Sequence, residues 1–149
     1  IHVECHPDEV LVRSLGKIRK QVIHHNDKGR ICKFLERSGS SQGMIDEDPT
    51  SAQPPYLSRM NVASIKFRVK LLTHVSLENR IIVLEPRLEE WIINVCHGAN
   101  IDMSAFGLSD NPRQLHNEIT SRLRQFTELV TYLNETQNPA ILYLKSLIL

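Results

Sequence analysis

Short apolar runs alternate with amphipathic helical stretches over residues 1–48, and two of those runs end in carboxylates. Residues 1–5 read as a strand that carries Glu4 at its end. A later run, Gly43-Met44-Ile45, closes on Asp46-Glu47-Asp48 and is cut off by Pro49. Between them, Pro7 and Asp8-Glu9 suit the first turn of a helix over 8–15, with Val10, Leu11 and Leu15 on its apolar face and Gly16 to stop it. Residues 19–25 form a second short strand centred on Val22 and Ile23. Asn26 or Asp27 then caps a helix to about residue 37, in which Ile31, Phe34 and Leu35 have helical spacing. A β-α-β-α-β order is the pattern of a parallel sheet covered by helices. The fold class expected is α/β, a mainly parallel central sheet flanked by helices, with a helical C-terminal extension.

The remainder of the chain extends that plan. Residues 49–61 are a Pro/Ser-rich loop including Pro54-Pro55, expected to be exposed and mobile. Ile65, Phe67, Val69 and Leu71 alternate with Lys66, Arg68 and Lys70, which predicts one half-buried strand with a basic face. Ile81-Ile82-Val83-Leu84 is a more deeply buried strand, and Pro86 opens a helix carrying Leu88, Trp91, Ile92 and Val95. Asn111-Pro112 starts a long helix to about residue 134, striped by Leu115, Ile119, Leu123, Phe126, Val130 and Leu133. Pro139 opens a last helix over 141–149, so apolar that it is expected to dock on the core or on a partner. Residues 1–95 are thus expected to form the α/β core and 96–149 a helical extension packed on it, within one domain.

Acids at two strand ends are hard to explain as packing. In open α/β sheets ligands bind outside the carboxyl ends of strands. Carboxylates meeting there repel one another unless a divalent cation or a proton sits among them. Residues two apart on a strand share a face, so Asp46 and Asp48 are expected to flank one hard cation, with Glu47 turned away. Asp8 and Glu89 are candidate further ligands, although acids also favour first helical turns for structural reasons. Lys28 and Arg30, at the start of the second helix, are candidate phosphate-binding residues. The net charge is only +1, but eight bases lie between 13 and 37 against Asp27 and Glu36, and 49–77 carries four bases and no acid. Basic flanks around an acidic centre suit a polyanion brought to a metal.

Histidines offer a different metal chemistry. His6 lies near Glu4, and His24-His25 near a strand end, where His plus carboxylate suits Zn²⁺ or Mn²⁺. Adjacent strand residues point to opposite faces, so only one of that pair can face a common site. Cys5-His6 makes a poor nucleophile and base for the same reason, and no third group is evident to orient them. No Gly-rich phosphate loop is present, which argues against ATP hydrolysis by this chain alone. Cys5, Cys32 and Cys96 are widely spaced with no CxxC pair, pointing to a reducing cytoplasm rather than a disulfide framework. No apolar run approaches the roughly 18 residues needed to span a bilayer.

A glutamate ending the first strand, then β-α-β-α-β, then Asp-x-Asp ending the next strand resembles the Toprim domain of topoisomerases, bacterial primases and overcoming-lysogenisation-defect nucleases. Val3-Glu4-Cys5-His6-Pro7-Asp8 matches the family's first motif at the Glu and at the Asp four residues on, with Cys5 where Gly is usual. Ile45-Asp46-Glu47-Asp48 matches the second, and Pro86, Leu88, Glu89 and Trp91 are similar to a later element of small stand-alone members. The resemblance covers about residues 1–95. It implies that Asp46 and Asp48 hold Mg²⁺ (or Mn²⁺), and that Glu4 acts as general acid/base or ligates a second metal. The function expected is Mg²⁺-dependent phosphoryl transfer, by a nuclease acting on DNA or RNA. The alternative is a non-catalytic Toprim-like module, a subunit of a larger, defence-related complex or a homo-oligomer, joined through the apolar C-terminal helices. Tyr56, Tyr132 and Tyr143 lack any context for topoisomerase chemistry.

Overall fold

A computed structural model describes residues 1–149. The strands are β1 (His2–Val3), β2 (Ile23–His24), β3 (Gln42–Asp46), β4 (Asn61–Lys66), β5 (Val69–His74) and β6 (Asn79–Leu84). The helices are α1 (His6–Ser14), α2 (Lys28–Arg37), α3 (Leu88–Gly98), α4 (Pro112–Ser121), α5 (Leu123–Glu135) and α6 (Pro139–Ile148). All six strands join one sheet in the order β2-β1-β3-β6-β5-β4. β2, β1, β3 and β6 run parallel, while β5 and β4 complete an antiparallel meander with β6. The expected α/β class, with its C-terminal helices, is what forms.

Alternation along the central strands sorts side chains onto two faces. Met44, Ile82 and Leu84 enter the larger core with α1, α3, α4, α5 and α6. Ile45, Ile81 and Val83 enter a smaller one against α2 and the 3₁₀ turn Pro55–Arg59. The two crossovers explain this arrangement. β1 to β2 moves outward in one direction and β2 to β3 returns across β1, so right-handed connections place α1 and α2 on opposite faces. The larger core draws on both 1–95 and 96–149, from Val3 to Ile148. Trp91, fully buried there, donates its indole N–H to the Phe67 carbonyl at 2.9 Å.

Three expectations need correction. The alternating stretch 65–71 is the tip of the β4–β5 hairpin rather than one strand: Phe67 and Arg68 form its two-residue turn, both with positive φ (52° and 58°). That backbone is the kind a two-residue hairpin requires, and neither residue type advertises it. The helix expected over 111–134 divides at Arg122 into α4 and α5. The proline-rich loop is anchored by Tyr56, which is buried and accepts from the fully buried Asn79 side chain at 2.8 Å. The C-terminal helix docks as expected, and on this chain's own core: Ala140, Ile141, Leu144, Leu147 and Ile148 are all buried. No helix is long and apolar enough to cross a membrane.

Close approach of α2 to the sheet depends on Gly43, where an added Cβ would lie 2.9 Å from Ile31 Cγ2. Gly43→Ala should therefore lower stability by about 1–3 kcal/mol, the range for overpacking a filled core. Chemical denaturation followed by circular dichroism measures it; an unchanged midpoint would show that α2 can yield.

Candidate functional site: an acidic cleft at the carboxyl ends of β1 and β3

Strand order reverses between β1 and β3, because their neighbours in sequence lie on opposite sides of β1. Such a reversal opens a crevice at the carboxyl ends, with no helix lying across it. Glu4 follows β1 there and Asp46 ends β3. The Asp46 backbone N–H donates to Glu4 Oε1 at 2.9 Å, so the two acids are held together across the strands. Asp46 Oδ1 accepts from the backbone N–H of Leu88 at 2.9 Å, at the first turn of α3, where free N–H groups favour an anion. Each acid keeps its other oxygen free of these bonds.

Asp8 belongs to the framework of the site. Its Oδ2 accepts from the backbone N–H groups of Glu4 (3.2 Å) and Cys5 (3.1 Å) and from the Cys5 thiol (3.2 Å), as in a helix capping box. Cys5 adopts φ −142°, extended backbone open to any residue, so the turn into α1 works without glycine. Desolvation of the sulfur and the neighbouring Asp8 carboxylate push the Cys5 pKa far up, which removes this thiol as a nucleophile.

Electrostatics sets this group apart from ordinary surface acids. Burial, and then the charges of Asp8, Glu4 and Glu89, hold the Asp46 carboxyl well above the usual carboxylate range. Burial and the Glu4 charge raise Asp8, against the hydrogen bonds it accepts. Burial also raises Glu4, partly offset by the Asp46 N–H and the Lys28 charge. Ionising these acids together is unfavourable without a counter-ion.

Asp48 behaves differently. The strand ends at Asp46, and Asp48 takes a left-handed conformation (φ 42°) that breaks the expected two-residue alternation. Its Oδ1 accepts from Arg87 Nε (3.0 Å) and Nη2 (2.6 Å), and this guanidinium holds its carboxyl below the usual range. Glu47 turns to the other side of the sheet, 3.3 Å from Lys70 Nζ.

The cleft encloses about 740 Å³ and is lined by Glu4, Asp46, Asp48 and Glu89, with Lys28, Arg87 and Arg113 supplying positive charge. Lys28, nearly buried, donates to the Glu47 carbonyl at 2.9 Å and to Gln53 at 3.3 Å. Arg30 pairs with Asp27 at 3.3 Å and is not among the lining residues. Glu89 Oε1 lies 2.7 Å from His116 Nδ1, and one oxygen of Glu90, also lining the cleft, is buried without a hydrogen-bond partner. Arg87, Glu90, Arg113 and His116 escaped the sequence reading. Arg87 and Glu90 lie within the Pro86–Trp91 element and were within reach of it. Arg113 and His116 come from α4, whose docking no local pattern reveals.

A carboxyl whose folded-state pKa is raised stabilises the fold while protonated, and that contribution is lost as pH climbs from about 4 through the folded value. In divalent-free buffer the unfolding free energy from urea titration should therefore fall as pH rises from mild acid toward 8, by at most ~1.4 kcal/mol per pH unit for each such group. Asp46→Asn, which can still accept from Leu88, should flatten that slope; an unaltered slope would place the titration elsewhere. Comparison of the chain with protein-family models, with curated proteins and with solved structures finds no match in any of the three.

Proposed function

We propose that this chain is a Mg²⁺- or Mn²⁺-dependent phosphoryl-transfer enzyme, a nuclease acting on DNA or RNA. The observation that carries this reading is the meeting of Glu4 and Asp46 at adjacent parallel strand ends, with raised carboxyl pKa values inside a cleft rimmed by bases. The donor set suits the ion: Mg²⁺ takes oxygen ligands at about 2.0–2.1 Å and commonly uses one or two carboxylates plus substrate phosphate and water. Asp46 would hold it through the oxygen not engaged by the Leu88 N–H, with Glu89 beside it. When bound, the ion supplies charge neutralisation at the phosphoryl oxygens.

The rest of the chemistry belongs to side chains. Glu4, with a pKa moved toward neutrality, takes the proton of the attacking water at its free oxygen. Lys28 and Arg87 bind phosphate oxygens, and Asp48 keeps the Arg87 guanidinium oriented toward the cleft. In this arrangement Asp48 serves as a positioning residue.

Purified protein incubated with plasmid, single-stranded DNA and RNA should cleave at least one of them in Mg²⁺ or Mn²⁺ and stop with EDTA. Glu4→Gln and Asp46→Asn should each lower the rate by about 10²-fold or more, the usual span for losing a general base or its equivalent. Asp48→Asn should act mainly on KM. Cleavage that survives both Glu4→Gln and Asp46→Asn would refute the assignment.

A second reading, a non-catalytic interaction module, draws support from the edge strand β4, which exposes Val62 and Ile65. Light scattering separates the two: a monomer that cleaves ends the second reading, and an inert oligomer ends the first.

A further inference from the structure

A second cluster lies at the same end of the sheet, on the far side of α1. His6 and Glu9 stand three residues apart on the first turns of α1, and His24 ends the edge strand β2 beside them. Glu9 Oε2 lies 3.4 Å from His6 Nδ1 and 3.1 Å from His24 Nε2. One ligand atom from each of the three residues falls within 4.8 Å of the other two, and no other trio of His, Cys, Asp or Glu in the chain does so. The acidic cleft itself has no such closed trio.

We propose that His6, Glu9 and His24 form a binding site for a borderline transition metal of the Zn²⁺ class. Two imidazoles and one carboxylate are a donor set that such ions favour and that Mg²⁺ does not. Ligands about 2.0–2.2 Å from a tetrahedral ion sit ~3.3–3.5 Å apart, so the Glu9–His6 edge already has that length and the Glu9–His24 edge falls slightly short of it. The imidazole rings meet edge to face, 4.8 Å between centroids, so modest side-chain rotation would turn both nitrogens onto a common ion.

Supporting contacts hold the carboxylate in place. Arg13 Nη1 donates to Glu9 Oε1 at 3.2 Å and leaves Oε2 to the site, the kind of outer contact that orients ligands in metal centres. The neighbouring His25 is unavailable, since its Nε2 lies 2.7 Å from His2 Nδ1 on the opposite face. The side chains of His6 and His24 are 64% and 30% exposed, so an ion can enter from solvent and keep a position open to water or to an external ligand. Binding would also tie the two-residue edge strand β2 to α1.

Calorimetric titration of chelator-treated protein with ZnCl₂ should give one site per chain, and Zn²⁺ should raise the thermal midpoint. His24→Ala and Glu9→Gln should each weaken binding by about tenfold or more, since even supporting residues of a metal centre carry that much. His6→Ala, at an exposed side chain with no core role, provides a variant that folds, with circular dichroism as the check. Co²⁺ in place of Zn²⁺ should show visible absorption that these substitutions remove. Affinity indifferent to all three substitutions would overturn the proposal. So would binding that survives them and falls with Asp46→Asn, because the ion would then sit in the acidic cleft. Neither result bears on nucleic-acid cleavage in Mg²⁺.

Discussion

The pairing of β1 with β3 runs out before the acids begin. The two strands share a single register pair, His2 with Gly43, and β1 is two residues long. Beyond that point the Glu4 side chain takes over from the ladder, accepting the Asp46 N–H at 2.9 Å that a longer strand would have bound with a carbonyl. A carboxylate accepting a backbone N–H forms a stronger bond than a neutral carbonyl does. The cost is a second acid brought beside the first in a partly buried place. Fold and chemistry are therefore coupled at one bond.

The helices offset part of that cost. α1 follows β1, α2 follows β2 and α3 follows β6, and each begins at the carboxyl edge of the parallel strands. Their N-termini bring unpaired N–H groups and partial positive charge to the same edge. α1 is capped from within by Asp8, and α2 by Asp27, whose side chain accepts from the Arg30 N–H. The Lys28 N–H at the start of α2 helps to lower the Glu4 pKa, and α3 presents its first N–H to Asp46 through Leu88. That single bond does not balance burial plus three like charges, and Asp46 remains a reluctant anion. A purely structural acid would be expected to sit as Asp8 does, with several donors around one oxygen.

Buried parallel strands declare themselves in sequence because both faces are covered: Met44-Ile45 and Ile81-Ile82-Val83-Leu84 are continuous apolar runs, and both lie where expected. Helix starts marked by Pro7, Asp27, Asn111-Pro112 and Pro139 were equally visible, since capping chemistry is local. The hairpin turn was hidden because Ile65 and Phe67 continue an alternating pattern across it while remaining exposed. The break at Arg122 was hidden because Leu115 to Leu133 keeps one helical stripe through α4 and α5, and a stripe does not register a turn in direction. For the site, order along the chain located Glu4 and Asp46. It could not foresee that left-handed backbone at Asp48 would hand that acid to Arg87, since L-residues resist such a conformation even where, as with aspartate, the resistance is low.

One helix start serves both clusters. Asp8 turns from α1 toward the Glu4 backbone, while His6 and Glu9 turn toward β2. Helical geometry makes this division automatic, since residues three apart share a side and the residues between them point elsewhere. The two groups differ in donor chemistry as well as direction. Carboxylate oxygens around Asp46 suit a hard ion that keeps its water, and imidazole nitrogens beside Glu9 suit a borderline one. Geometry alone would not keep two divalent ions apart on neighbouring strand ends, because a carboxylate cleft also accepts Zn²⁺. Any selectivity between the two would have to come from the nitrogens, which favour a borderline ion where carboxylate oxygens alone do not.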